Sequence, residues 1–225
     1  MKKPGIECVI IAVDEPQLDR CLHAAHAQDR PFDRVRLVNN VAPVATAYNR
    51  AMADIEYERV MLVGGDMILY PHAARYALNL TMDAAGVYAW GFGLWDPFIR
   101  KVICCTKVYP GDVAGQYPYR DVLRCDLAAL AEAKKDGLRE MLLLDVVLGT
   151  HFENPNADQV FRRFYVRGQK PRAGLYRKLL RRMKKETGDR RYDVAMDALA
   201  QGEAGPRLGC SPNIERMREV AAGGK

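Results

Sequence analysis

Short apolar runs alternate with helical patterns along the first third of the chain. The runs cover residues 6–13, 35–38 and 60–63, and each of them stops at polar residues or glycines. Runs of this length and composition predict strands that are buried on both faces of a sheet. Because a helical pattern separates each run from the next, the crossovers predict a mostly parallel sheet flanked by helices, which is an α/β fold.

The third run is followed directly by an acid. Gly64 and Gly65 come after the run, and Asp66 is the next residue. Open α/β sheets bind their ligands outside the carboxyl ends of the strands. Asp66 is therefore the first candidate site residue, and the alternative is that it only caps a helix.

The middle of the chain predicts a helix and then a hairpin. The helix is expected over residues 71–85. Two strand-like runs, 87–95 and 99–109, follow it and are joined by a short turn. Asp96 lies in that turn, where a turn-forming role is the first explanation for an aspartate.

A second helix and a long apolar run come next. The helix is expected over residues 127–135, with Asp126 as its N-cap. The run over residues 141–152 is apolar as far as Gly149, and His151 emerges just past that glycine. His151 is a candidate metal ligand, and the alternative is a hydrogen-bonded loop histidine.

Four local patterns resemble the GT-A glycosyltransferases, enzymes that use nucleotide-activated sugars. The patterns are residues 9–14, 38–41, 44–51 and 64–66, in the order that the family has them. The last corresponds to the family's Asp-x-Asp metal motif, in which Gly64 replaces the first acid, so the motif is degenerate. The resemblance covers about the first two thirds of the chain.

The resemblance implies a set of residues that bind the donor. The metal, Mn²⁺ or Mg²⁺, would be held by Asp66 and by His151, which corresponds to a late metal ligand of the family. Carboxylate and phosphate oxygens suit either ion, and an imidazole nitrogen favours Mn²⁺. The expected contacts to the nucleotide sugar are Val13, Asp14, Asn39, Asn40, Asn49, Arg50 and Gly65, with Arg163 and Lys170 as basic residues available to the diphosphate.

A base for the acceptor hydroxyl is harder to identify. There are two candidates. Asp145 lies within an apolar run, where burial would raise its pKa and suit it to proton abstraction, so it is the catalytic candidate. Asp96 is the second, although its place in the hairpin turn is better explained by a turn-forming role. A buried structural role for Asp145 is the alternative. Trp90, Phe92 and Trp95 either stack on sugar rings or pack in the sheet.

Length and composition agree with one α/β domain that carries an extension. The chain has 225 residues and is 49% hydrophobic. No apolar run approaches the ~20 residues that a membrane span needs, and the amino-terminal residues lack a signal-peptide core. We expect a cytoplasmic protein, with its six cysteines as reduced thiols and with Cys8 and Cys210 among them.

The composition changes after residue 168, which predicts a catalytic domain over residues 1–168 and a basic helical extension over 169–225. Residues 170–191 hold ten lysines and arginines against two acids. Leu175, Leu179, Leu180 and Met183 recur there at helical spacing. Such a helix either docks on the domain or lies on an anionic membrane, and we do not expect nucleic acid because no aromatic cluster accompanies the charge. A short helix is expected over residues 213–222.

The sequence therefore predicts a metal-dependent glycosyltransferase with an unidentified acceptor. Two alternatives remain. A nucleotidyltransferase would share the sheet, but it would carry a glycine-rich basic loop after the first strand, where this chain is acidic. A non-catalytic nucleotide-binding or membrane-binding module is favoured by Gly64.

Overall fold

The computed structural model describes residues 1–122, 124–170 and 173–205, and these residues form two compact units. The first unit covers Met1–Glu153 and the second covers Asn154–Lys225. The helix over residues 157–168 packs on the helix over residues 191–204. The boundary expected after residue 168 stays a prediction.

The first unit is an α/β sheet with helices between its strands. In chain order its elements are β1 (Lys3–Ala12), α1 (Leu18–His26), β2 (Arg34–Asn39), α2 (Val44–Met52), β3 (Tyr57–Gly64), β4 (Met67–Leu69), α3 (Ala73–Leu80), β5 (Val87–Asp96), β6 (Lys101–Pro110), α4 (Cys125–Lys135) and β7 (Arg139–His151).

The strand order across the sheet is β2-β1-β3-β6-β5-β7-β4. β1 pairs in parallel with both β2 and β3, as the crossovers predict. β5 and β6 form the expected antiparallel hairpin, which lies between β3 and β7. Only β6 and β4 run against the common direction among the described strands, so the expectation of a mostly parallel α/β sheet is confirmed.

One hydrophobic cluster of the first unit lies under one face of the sheet. Ile6 and Ile10 of β1 and Met61 of β3 are fully buried there, beside Trp90 and Phe92 of β5. These two aromatic residues are 1% and 0% exposed, so they pack in the core and cannot stack on a sugar. Trp95 is 38% exposed. Successive side chains of a strand point to opposite faces of the sheet, and Trp95 points to the face opposite that of Trp90 and Phe92.

Two local expectations in this unit are wrong. Asp126 is not the N-cap of α4, because the helix begins at Cys125 and Arg124 occupies the cap position with a left-handed backbone. Asp145 is not buried. The pairing of β7 with β5 jumps from Leu143 to Val147, and the bulge between them exposes Asp145 to solvent.

The second unit consists, in its described part, of α5 (Ala157–Gly168), α6 (Ala173–Thr187) and α7 (Arg191–Ala204). A Cβ on Gly168 would lie 2.3 Å from the Leu199 carbonyl oxygen, and a Cβ on Gly202 would lie 2.1 Å from that of Tyr165. Such distances are shorter than any real contact. The backbones of α5 and α7 therefore touch at these glycines.

Part of the apolar stripe of the basic helix α6 is buried within this unit. Leu180 and Met183 are fully buried, whereas Leu175 is 62% exposed. Arg177 pairs with Glu203 of α7, and Lys184 pairs with Asp193 of α7. The helix is therefore a packed element of the second unit.

Two observations bear on the remaining expectations. Within the residues that the structure describes, no helix is both long and apolar enough to cross a membrane. Cys8, Cys21, Cys104 and Cys105 are free thiols, whereas Cys125 is disulfide-bonded, so the expectation of reduced thiols is wrong at Cys125. Cys210 and the helix expected over residues 213–222 lie outside the described residues.

Candidate functional site

The candidate site is built around a short pairing between β4 and β7. Met67, the first residue of β4, is paired with His151, the last residue of β7. The backbone N–H of Phe152 donates to the carbonyl oxygen of Asp66 at 3.1 Å. This antiparallel ladder brings Asp66 and His151 together from positions that are far apart in the sequence.

The imidazole of His151 lies between two carboxylates. Its Nε2 is 3.3 Å from Oδ2 of Asp66, and its Nδ1 is 3.4 Å from Oδ2 of Asp96. His151 and Asp96 are buried, Asp96 completely, whereas the side chain of Asp66 is 25% exposed. The row of three groups therefore opens to solvent on the side of Asp66.

The structure places the two predicted metal ligands, Asp66 and His151, in contact. Two ligands of one Mg²⁺, each about 2.0–2.1 Å from the ion and at a right angle to each other, are roughly 2.9 Å apart. The observed 3.3 Å between Nε2 and Oδ2 is an ion-pair distance a few tenths of an ångström longer, so a small shift of the side chains would bring both atoms to one ion. An imidazole nitrogen and a carboxylate oxygen are both ligands that Mn²⁺ accepts.

These two side chains supply only part of a coordination shell. Among the described residues, no group of three or more His, Cys, Asp or Glu side chains is arranged to hold a metal ion by itself. Mg²⁺ and similar ions in phosphate-transfer sites commonly take one or two protein ligands and complete the shell with water and substrate phosphates. The pair fits a metal that arrives with a diphosphate.

Sequence reasoning missed the part that Asp96 plays at this site. The expected turn role is real, since Oδ1 of Asp96 accepts a hydrogen bond from the backbone N–H of Ile99 at 3.1 Å. The other carboxylate oxygen faces His151. The sequence offers little indication that Asp96 contacts His151, because an aspartate before a proline in a hairpin is usually explained by the turn alone.

The two glycines before Asp66 are tightly surrounded. A Cβ on Gly64 would lie 2.9 Å from Oδ1 of Asp66, and a Cβ on Gly65 would lie 2.8 Å from the Cβ of Ala12. The thiol of Cys21 donates to the Gly64 carbonyl oxygen at 3.5 Å. Burial, followed by the charge of Asp66, raises the pKa of this thiol to about 12. A residue without a side chain is thus needed at position 65, because the backbone there lies close to Ala12 of β1. This requirement holds whether or not Gly65 contacts a donor.

The ends of β1 and β2 lie at the same edge of the sheet as Asp66. Ile11 is paired with Gly64 in the β1–β3 ladder, and Ala12 is paired with Asn39 in the β1–β2 ladder. Asp14 and Asn40, which follow these strands, both have left-handed backbones, with φ values of 54° and 53°. Non-glycine residues in this conformation are uncommon, and they cluster at ligand sites.

The side chains at this edge differ in how far they are available to a ligand. Asp14, Asn39 and Asn40 are exposed, and Val13 is half-buried. The backbone N–H of Val13 donates to the carboxylate of Glu15. The structure therefore brings together the four residues that were expected to contact the nucleotide here.

Asn49 has a different set of contacts from those expected for a donor ligand. Its amide nitrogen donates to the carbonyl oxygen of Tyr119 at 2.9 Å, and its side-chain oxygen accepts from the Tyr119 backbone N–H at 2.8 Å. The ring of Tyr119 stacks on Tyr48 with centroids 4.7 Å apart. Asn49 therefore connects the segment after β6 to α2 through two hydrogen bonds. The neighbouring Arg50 is exposed.

The remaining candidates lie elsewhere in the chain. Asp145 lies six residues before His151 on β7, and its carboxylate is exposed in the bulge. Arg163 and Lys170 belong to the second unit. The guanidinium of Arg163 lies 5.5 Å from the ring centroid of Phe164, and the backbone N–H of Lys170 donates to the carbonyl oxygen of Arg167. Their contribution to donor binding stays a prediction.

Comparison with protein-family models and with curated proteins finds no match. Solved structures do match. The mannosyltransferase PcManGT from Pyrobaculum calidifontis, in complex with GDP-Man and Mn²⁺, has a TM-score of 0.54 at 14% identity, over 97% of this chain and 79% of that one. Residues 1–349 of S. aureus TarS have a TM-score of 0.52 at 12% identity, over 90% of this chain and 72% of that one. The chain therefore has the GT-A fold.

Proposed function

We propose that the protein is a metal-dependent glycosyltransferase that takes its sugar from a nucleotide-diphosphate donor. The observation that carries the proposal is the contact between Asp66 and His151 at the ligand-binding edge of a GT-A sheet. It is supported by the likeness to a mannosyltransferase whose structure holds GDP-Man and Mn²⁺.

The residues at the edge have separate tasks in this proposal. Asp66 and His151 hold the metal, and Mn²⁺ or Mg²⁺ supplies positive charge to the diphosphate that leaves when the sugar is transferred. Val13 and Asp14 after β1, with Asn39 and Asn40 at the end of β2, contact the nucleoside. Arg50, Arg163 and Lys170 are the basic candidates for phosphate oxygens.

The acceptor and its activation are less constrained. Asp145 keeps its carboxylate in solvent, so burial does not make it a stronger base. It stays a candidate only if an acceptor covers the bulge of β7. A transferase that retains the configuration of the sugar does not need a base in the same position, so the proposal does not depend on Asp145.

Thermal denaturation with a panel of nucleotide-diphosphate sugars, with and without Mn²⁺, tests the proposal. We expect one donor to raise the melting temperature strongly, and only when the metal is present, because a ligand that binds the folded state alone stabilises it by mass action. Release of the nucleoside diphosphate from that donor is then measured with candidate acceptors. Stabilisation by nucleoside triphosphates and sugar phosphates, without any effect of nucleotide sugars, would indicate a nucleotidyltransferase instead.

A non-catalytic module of the same fold is the second candidate, because Gly64 stands where the family has an acid. Measurement of turnover distinguishes a glycosyltransferase from such a module. A module would show metal-dependent stabilisation by the nucleotide, yet it would release no diphosphate over long incubation, even by slow hydrolysis of the donor.

The extension contributes a further element to this proposal, a peripheral contact with an anionic membrane through residues 170–191. Lys178, Arg181 and Lys185 are exposed on α6, while Leu180 and Met183 are buried. The contact would therefore depend on charge more than on inserted apolar side chains. It would hold the enzyme beside a lipid-linked acceptor.

A further inference from the structure

Asp96 is a fully buried carboxylate next to the candidate metal site. A buried charge is costly unless it is paired or hydrogen-bonded. Oδ1 of Asp96 accepts from the backbone N–H of Ile99 at 3.1 Å, and Oδ2 lies 3.4 Å from Nδ1 of His151. One oxygen thus belongs to the hairpin turn and the other to the histidine.

The register of three neighbouring strands produces this arrangement. Trp95 of β5 is paired with Thr150 of β7, so the next residues, Asp96 and His151, lie side by side. On the other side of β7, Met67 of β4 is paired with His151. Carboxylate, imidazole and carboxylate therefore form a row across the ends of β5 and β7 and the start of β4.

The histidine ring is also oriented by aromatic packing. The ring of Phe152 lies nearly parallel to that of His151, with centroids 5.8 Å apart and 22° between the planes. Phe98, in the same turn as Asp96, packs edge-on against Phe152 at 5.8 Å. The turn that carries Asp96 thus also limits the rotation of the imidazole.

We propose that Asp96 is a positioning residue that accepts the Nδ1 proton of His151 and so fixes the ring in the tautomer whose Nε2 lone pair faces Asp66. The inference rests on the proposed function, in which Nε2 binds the metal. Histidines that bind metals usually donate their other ring N–H to a carboxylate or carbonyl, which sets the tautomer and strengthens the ligand. Asp96 is suited to that task because its second oxygen is held by the turn.

The substitution Asp96→Asn separates this role from a purely structural one. An asparagine has one acceptor oxygen and one donor nitrogen. If the oxygen keeps the bond to the Ile99 N–H, the amide nitrogen faces Nδ1 and favours the opposite tautomer, with the proton on Nε2. The variant therefore changes the proton position in the ring at nearly constant volume.

The primary measurement is the tautomer of His151 in metal-free protein, by NMR of protein with ¹⁵N-labelled histidine. Because the Asp66 carboxylate also faces the ring and would compete for its proton, both proteins compared carry Asp66→Ala. The spectra are recorded at a pH of about 8.5, where an ordinary histidine is neutral. Comparison with His151→Ala identifies the signals of this ring among the four histidines. We expect the proton on Nδ1 in Asp66→Ala and on Nε2 when Asp96→Asn is added. The same tautomer in both proteins overturns the proposal.

The second measurement is the affinity for Mn²⁺, read from the free ion by electron paramagnetic resonance. Asp96→Asn should weaken it by about 10–100-fold. The matched control is Glu7→Gln, which alters another fully buried carboxylate, paired with Arg36 at 2.8 Å in the same unit. It should lower stability without changing the metal affinity. An equal loss of affinity in both variants shows that destabilisation alone is responsible, and it overturns the role of Asp96.

The two measurements fail in different ways. If the natural chain binds no Mn²⁺ even with a nucleoside diphosphate present, the metal-dependent function is wrong, while the tautomer result still decides what Asp96 does. If Mn²⁺ binds normally and the tautomer does not respond to Asp96→Asn, the proposed function stands and the positioning role is wrong.

Discussion

Met67 and His151 are direct partners in the ladder between β4 and β7, and this single pairing places Asp66 against the imidazole. The two residues are separated by most of the first unit along the chain. A carboxylate at the start of one strand and a histidine at the end of another thus become neighbours because the strands run in opposite directions. The proposed metal site depends on this contact more than on any local motif.

Removal of the Asp66 carboxylate should abolish metal-dependent donor binding. In Asp66→Ala we expect no stabilisation by nucleoside diphosphate with Mn²⁺, because no acid at residue 64 can substitute for it. Thermal denaturation with and without the metal measures the effect. Asp29→Ala is the control, since that aspartate pairs with Arg75 on the surface. An unchanged metal-dependent shift in Asp66→Ala would refute its assignment as a ligand.

His151→Ala should weaken the affinity for Mn²⁺ by about tenfold or more, because one ligand is lost while Asp66 remains. Titration calorimetry in the presence of nucleoside diphosphate measures the change. His72→Ala provides a matched loss of a histidine, since the His72 ring packs against the rings of Tyr70 and Tyr76 and belongs to no candidate site. If His151→Ala melts early and binds Mn²⁺ normally, the histidine is structural.

Asn49→Ala should destabilise the fold more than it weakens donor binding. Both amide atoms bond the backbone of Tyr119, and loss of two such hydrogen bonds costs about 1–3 kcal/mol. Urea denaturation measures the free energy of unfolding. Asn79→Ala, at an exposed position of α3, should be nearly neutral. Normal stability together with a lost donor response would instead make Asn49 the donor contact that the family resemblance implies.

The basic face of α6 should bind anionic vesicles in a salt-dependent manner. Each cation near such a surface contributes about 1 kcal/mol, and added salt screens the attraction. We expect the natural chain to sediment with anionic liposomes at low salt, and not with neutral ones. The triple charge reversal Lys178→Glu, Arg181→Glu and Lys185→Glu should abolish this. Deletion of the helix is a poorer test, because Leu180 is buried in the second unit. No sedimentation of the natural chain would leave α6 as a docking helix only.

The thiol of Cys21 should resist alkylation under native conditions. With its pKa raised to about 12, only about one molecule in ten thousand carries the thiolate at pH 8. Because the thiolate is the reactive form, labelling should increase as the pH rises. Mass spectrometry after iodoacetamide treatment at increasing pH measures this, with the exposed Cys104 as the internal comparison. Equal labelling of both cysteines at pH 8 would contradict the burial of Cys21.

The sequence was sufficient for the parallel strands and for the place of Asp66 just after a strand end. An apolar run such as that over residues 60–63 has few alternatives to a strand buried on both faces, and an acid at its end is visible locally. β4 was not predicted, because three residues have no periodicity of their own and pair only where β7 passes. Such a contact is a property of the fold and not of its segments.

The two aspartates Asp96 and Asp145 show the limit of local patterns more sharply. Asp145 lies in an apolar run and is exposed, because a bulge shifts the alternation of β7. Asp96 was expected in the turn, but it is the last residue of β5, and it is fully buried beside His151 of the adjoining strand β7. Burial of an acid depends on which strands adjoin it, and no window of sequence contains that information.

The close approach of α5 and α7 at Gly168 and Gly202 places the same constraint on two positions of the second unit. A methyl group on either glycine would strike the backbone of the opposite helix, and backbone cannot be replaced by a smaller residue to compensate. A substitution at either glycine is therefore not tolerated while the two helices keep this distance. Charged residues on the outer side of α6 have no such restriction, so the extension is free to change its surface charge over evolutionary time without changing how its helices meet.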